Sequence, residues 1–141
     1  MNNIAECILR KEFVLDKISF DNNDYFKFIG NAKLTLEDIL KTKSYSNNEF
    51  VVSIGRTISS DEENIFSVSV FFDVHFILKD NVGEISENDV DTYIKENYEA
   101  FTNICMAKIS LLISQITAQL GKGVPIISPP HFTKNFDSEA K

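Results

Sequence analysis

His75 and His131 are the only side chains in this 141-residue chain whose ordinary titration range suits proton transfer near neutral pH. His75 stands two residues from Asp73, on one face if the stretch is a strand, and a carboxylate there could orient an imidazole for general-base work. No third group completes a catalytic set, and a hydrogen-bonded surface pair accounts for both residues. His131 follows Pro129 and Pro130 and reads as a packing residue of an extended segment. The string GKG, Gly121 to Gly123, has the residue types of a phosphate loop, but such a loop needs G-x-x-x-x-G-K-[ST] at the start of a helix, where amides face the phosphate. This string follows a helical stretch, where Lys122 complements the negative end of the dipole. Cys7 and Cys105 lie far apart, outside any C-x-x-C pair, and no H-x-x-x-H or Cys/His cluster is present. The acidic Asp61-Glu62-Glu63 reads as a solvated hairpin tip. The chain is therefore expected to be a non-enzyme, with no catalytic residue, no metal and no cofactor.

Bulk properties narrow the partners. Fourteen basic and 21 acidic residues give a net charge of −7, a field that repels phosphate backbones, so nucleic acid is not an expected partner. The hydrophobic fraction of 43% with 25% charged residues is ordinary for a globular domain, and twelve Phe without Trp tilt the aromatics toward core and contact surface. MNNIAECILRKEF has no sustained apolar stretch or small-residue cleavage site, and no later stretch reads as long and uncharged enough to span a bilayer. A cytoplasmic location is the expectation. The length fits a single domain, 1–141, with a polar frayed tail over 133–141.

Elements follow from periodicity. FVLDKISF, Phe13 to Phe20, AKLTLEDIL, Ala32 to Leu40, and EFVVSIGRTIS, Glu49 to Ser59, read as strands, with polar DNND and SSDEEN as links. NIFSVSVFFDVHFILKD, Asn64 to Asp80, is a fourth and longer strand. Its even row, Phe66 to Leu78, is unbroken and apolar; its odd row mixes Ser67, Ser69, Asp73 and His75 with Phe71 and Ile77. A half-apolar second row implies contact with another chain. Ser86 and Asp89 form a capping-box-like start to a helical stretch that is continuous over Glu99–Leu120 and stopped at Gly121. Its apolar residues spread over most of the circumference, so the helix needs cover on more than one side. VPIISPPHF, Val124 to Phe132, holds three prolines and must be extended. The fold class is α+β: a four-stranded antiparallel meander packed on a long C-terminal helix.

In that order and spacing, DKISFD (Asp16 to Asp21), AKLTLED (Ala32 to Asp38), EFVVSIGRTISSDEENIFSVSV (Glu49 to Val70) and GVPIISPPHF (Gly123 to Phe132) resemble the SecB family of export chaperones over about Ile8 to Phe132. The resemblance implies a homotetramer, a dimer of dimers with helices layered between outward-facing sheets, and an ATP-independent holdase that binds unfolded or partly folded clients. On this reading the groove takes Tyr25, Phe26, Phe28, Tyr98, Phe101, Ile126, Ile127 and Phe132, and subunit contacts take Phe71, Ile77, Ile109, Leu112, Ile113 and Ile116.

A partner-docking surface would comprise Lys17, Asp21, Ser67 and Ser69. In SecB proteins that dock on the SecA motor, acids and a Leu-x-Glu stand where Lys17, Ser67 and Ser69 stand here, and only Asp21 keeps the pattern. The departures speak against SecA docking and suit the SecB-like proteins that chaperone the antitoxin of a toxin–antitoxin module, with secretory preproteins as the other client class. Two rival readings remain: a non-catalytic structural or adaptor subunit, and a hot-dog-type small enzyme, in which the helix comes early rather than after all four strands.

Overall fold

Chain order is α1 (Ile4–Cys7), β1 (Ile8–Asn22), β2 (Leu34–Tyr45), β3 (Glu49–Ser60), β4 (Phe66–Leu78) and α2 (Glu87–Leu120). These come from a computed structural model that describes residues 4–22, 34–46, 48–60, 66–80, 85–120 and 125–133. The strands form one antiparallel sheet in the order β1-β4-β3-β2. The meander is β2–β3–β4, and β1 joins it beside β4, so β1 and β2 are the two edges. That arrangement places β4, with its apolar row, between two partners. β1 and β2 run longer than the sequence pattern indicated, because the edge pairing continues through the polar ends of both. β1 carries register shifts at Ile8/Arg10 and Leu15/Lys17, and β2 one at Thr42/Ser44.

Helix α2 begins twelve residues before the continuous apolar pattern, at Glu87 rather than Glu99. Its start is the reciprocal capping box: the Asp89 amide donates to Ser86 Oγ at 3.1 Å and the Ser86 amide to Asp89 Oδ2 at 3.3 Å. The even row of β4 is buried throughout, as are Phe50, Val52, Ile54 and Ile58 of β3, and α2 lays Ile94, Phe101, Cys105, Ile109 and Ile113 on them. At one end Phe50 and Phe76 stack at 4.5 Å, with Tyr93 and Phe101 meeting the Phe76 ring edgewise at 5.8 and 5.2 Å. Burial pushes the Cys105 thiol up to about 12, which makes it a packing residue and not a nucleophile. By length and composition alone α2 could cross a membrane, a departure from the expectation above; its packing on β3 and β4 accounts for the apolar residues of that face as core.

The second row of β4 finds part of its cover within the chain. Ser69 and Asp73 are buried, and Lys43, on β2, reaches across β3 to place Nζ 2.8 Å from Asp73 Oδ2 and 3.7 Å from Asp16 Oδ1. The partner of His75 is thus not Asp73: its Nδ1 lies 3.5 Å from Glu49 Oε2. Phe71 stands opposite Gly55 in the β3–β4 register, and its ring lies flat over the glycine, in the space a Cβ would occupy. Gly55→Ala is therefore expected to lift the ring and cost about 1–3 kcal/mol, the usual penalty of overpacking. Urea denaturation should show that cost shrinking in a Phe71→Ala background, where the two sites share the same space.

Candidate functional site

Charges on a core row demand an explanation, and two adjacent strands each supply one. Arg56 lies on the β3 row of Ile54 and Ile58, and Asp38 on the β2 row of Leu36 and Leu40; the two are direct partners in the register. The Arg56 side chain is 0% exposed. Its Nε donates to Asp38 Oδ1 at 2.7 Å and its Nη2 to Asp38 Oδ2 at 2.8 Å, a bidentate pair. The remaining N–H groups turn to the segment after α2. Nη1 donates to Ser128 Oγ at 3.0 Å and to the Pro129 carbonyl oxygen, and Nη2 to the His131 carbonyl oxygen at 2.8 Å. All five guanidinium N–H groups are thereby used.

Asp38 is equally occupied. Besides Arg56, its Oδ2 accepts the Thr133 amide and the Thr133 hydroxyl, each at 2.9 Å. Burial alone would push this carboxyl up, but the Arg56 and Thr133 hydrogen bonds and the Arg56 charge outweigh it and hold Asp38 below its ordinary value. The segment 125–133 is also tied to α2. Thr117 Oγ1 accepts the Ile126 amide at 2.7 Å, and Ser110 Oγ donates to the Ser128 carbonyl at 2.6 Å. At the far end the rings of Phe132 and Tyr98 meet at 6.1 Å. From Thr117 through Ser110 to Tyr98 the segment runs back along α2 as a strap beside β3 and β2.

Four of the expected groove residues lie along the strap and α2, with Ile126 at the Thr117 end and Phe132 meeting Tyr98 at the other. Tyr98, Phe132 and Ile126 are half-buried against the core margin, and Ile127 is 79% exposed. Phe101 is a correction: its face of α2 also carries Cys105 and Ile109, and it lies in the core against Phe76. Tyr25, Phe26 and Phe28 lie outside the described residues. Thr133, assigned to a frayed tail, is pinned to Asp38. His131 contributes its backbone carbonyl and leaves its side chain exposed.

Of the expected docking residues, Lys17 and Asp21 of β1 stand opposite Phe71 and Ser67 of β4, and Ser69 bonds to Thr57 at 2.9 Å. Of the expected subunit contacts, Phe71, Ile77, Leu112 and Ile116 are half-buried, while Ile109 and Ile113 are covered completely by this chain's own sheet. The large apolar side chains of α2 that are exposed among the described residues are instead Ile104, 47% exposed, and Leu111, 59% exposed. Among the described residues no group of three or more His, Cys, Asp and Glu is placed to hold a metal.

Breaking the ion pair from one side leaves a charge buried without its partner, so Arg56→Leu and Asp38→Leu are each expected to cost about 3–5 kcal/mol. The double variant should cost much less than their sum in urea unfolding. Because Asp38 is held below its ordinary value of 3.8, its contribution is complete above that pH and fades as pH falls through the lower folded value. Asp38→Asn should flatten the acid limb of a melting-temperature profile.

Comparison with known proteins bears on the fold. No protein-family profile matches the chain, and no curated protein matches it in sequence. Among solved structures it is similar to the Mycobacterium tuberculosis Rv1957 SecB-like chaperone, solved in complex with a ChAD peptide from the Rv1956 HigA1 antitoxin. Identity is 14%, the TM-score is 0.67, and the alignment covers 92% of this chain and 91% of that one. A protein of unknown function from Streptococcus agalactiae aligns at 14% identity over 85% of this chain and 95% of its own, with a TM-score of 0.31 that carries no argument. The four-stranded antiparallel sheet with the long helix that follows it is a SecB-like fold.

Proposed function

We propose that this chain is an ATP-independent chaperone that holds non-native polypeptides, working in the cytoplasm as a homotetramer. The observation that carries the reading is the fold shared, over nearly the whole chain, with a SecB-like chaperone solved with an antitoxin peptide. A dedicated client of the antitoxin kind is favoured over secretory preproteins, because Lys17, Ser67 and Ser69 replace the groups with which SecB proteins of the export type meet the SecA motor. No step of holding needs a catalytic residue. Apolar burial is non-directional and so tolerates many client sequences, and several modest surfaces on one assembly gain by effective concentration.

Two apolar surfaces support the assembly. Along the outer side of α2, Ala100, Ile104, Ala107 and Leu111 recur at steps of four, three and four and are all exposed, the spacing of a seam between two helices. On β1, Leu15 and Ile18 stand opposite the core residues Phe72 and Val70 and so face the helix side of the sheet, yet both remain exposed. The outer edge of β1 pairs with no strand among the described residues. A dimer of dimers needs two kinds of contact, and the presence of two separate apolar surfaces favours that reading.

Light scattering on the purified protein should give the mass of four 16.0 kDa chains, and Leu111→Glu should lower it to two. At one tetramer per client the wild type should suppress aggregation of a chemically unfolded protein. A protein that leaves aggregation unchanged at that ratio would refute the chaperone reading.

A further inference from the structure

The contacts that hold the strap fall largely on its backbone. Ile126 N, Ser128 O, Pro129 O, His131 O and Thr133 N, five main-chain atoms, meet Thr117, Ser110, Arg56 and Asp38. Only the hydroxyls of Ser128 and Thr133 add side-chain atoms to these polar contacts. A slot that binds through main-chain groups is indifferent to most of the sequence occupying it. The strap's apolar hold is confined to Ile126 and Phe132, half-buried against the core margin, while Ile127 points to solvent.

We propose that the slot between α2 and the β2–β3 flank is a second polypeptide-binding site, occupied in cis by residues 125–133 and open to exchange with an extended segment of a client. The inference rests on the chaperone reading. Exchange replaces like with like: a client strand with free carbonyls and an amide in extended spacing can take up the Arg56, Ser110 and Asp38 bonds that the strap gives up. During exchange water can solvate the guanidinium and carboxylate, whereas a segment leaving a purely apolar slot would expose only surface that water disfavours. The strap competes as a tethered ligand, at an effective concentration on the order of mM. A short peptide is therefore excluded, and a chain that also engages apolar surface elsewhere on the protein displaces it. The strap acts as a threshold that favours long unfolded chains.

Ser110 Oγ and Ser128 Oγ lie 3.5 Å apart, one on α2 and one on the strap, so a Ser110→Cys/Ser128→Cys pair in a Cys7→Ser background can lock the slot shut on oxidation and free it on reduction. The probe is reduced, carboxymethylated lactalbumin, a permanently unfolded chain. The oxidised protein should bind it at least about tenfold more weakly than the same protein reduced, the size of effect that one or two main-chain hydrogen bonds carry. Hydrogen exchange in the wild type should show residues 126–133 losing protection when the probe is added, while β3 and β4 keep theirs. Equal binding by the locked and reduced forms, or unchanged strap protection in the complex, would overturn the slot and leave the chaperone reading standing. Failure of the wild type and of both forms to bind the probe would sink the two together.

Discussion

The buried pair of Arg56 and Asp38 is the constraint on which the arrangement turns. Removing two charges from water is costly, and such a pair contributes specificity more dependably than stability. Here the specificity is visible in the bonding: β2 supplies the acid, β3 the base, and the strap fits only where its acceptors meet the remaining donors. The match follows from composition. Pro129 and Pro130 have no N–H, so this stretch has more acceptors than donors, and an arginine is donor-only. A lysine at 56 could not span a carboxylate, a hydroxyl and two carbonyls at once.

That constraint gives the two flanks of α2 opposite characters. The helix sits over β3 and β4, and the flank toward β2 is closed by a strap held through polar groups. Among the described residues the flank toward β1 has no such strap, and Leu15 and Ile18 are exposed there. The sheet's outer face is different again, with Phe71 folded over Gly55 and Lys43 over Asp73. Hence the half-apolar second row of β4 does not by itself demand another chain. Among the described residues, the edge at β1 and the outer side of α2 carry apolar side chains without cover, Leu15 and Ile18 on the one and Ile104 and Leu111 on the other.

Periodicity made the elements legible, because a strict alternation at β4 and a capping box at Ser86 leave little choice. It failed on faces. Ile109 and Ile113 were read as contact residues because an apolar residue on a many-sided helix does not declare which side meets its own sheet. The exposed pair, Ile104 and Leu111, differs from them only in angular position. Phe101 was misplaced for the same reason. Arg56 and Asp38 did leave a trace, as a charge on each of two otherwise apolar even rows, but pairing them requires knowing that β2 and β3 are neighbours in that register. The strap's meeting with Arg56 and Asp38 had no local signal, since those groups lie 72 to 95 residues earlier in the chain.

Polar pinning and apolar exposure suit different parts of one task. Apolar surface attracts unfolded chains broadly, and left uncovered it also attracts copies of the same protein. Closing the β2–β3 flank with apolar residues would make that closure as permanent as the core. A strap held by hydrogen bonds keeps the flank shaped when nothing is bound, because the buried Arg56 and Asp38 both have their partners. It also leaves behind groups that water or another backbone can satisfy. An ion pair that is unremarkable as a source of stability is, in that position, what allows a closed surface to be reopened without unfolding the sheet beneath it.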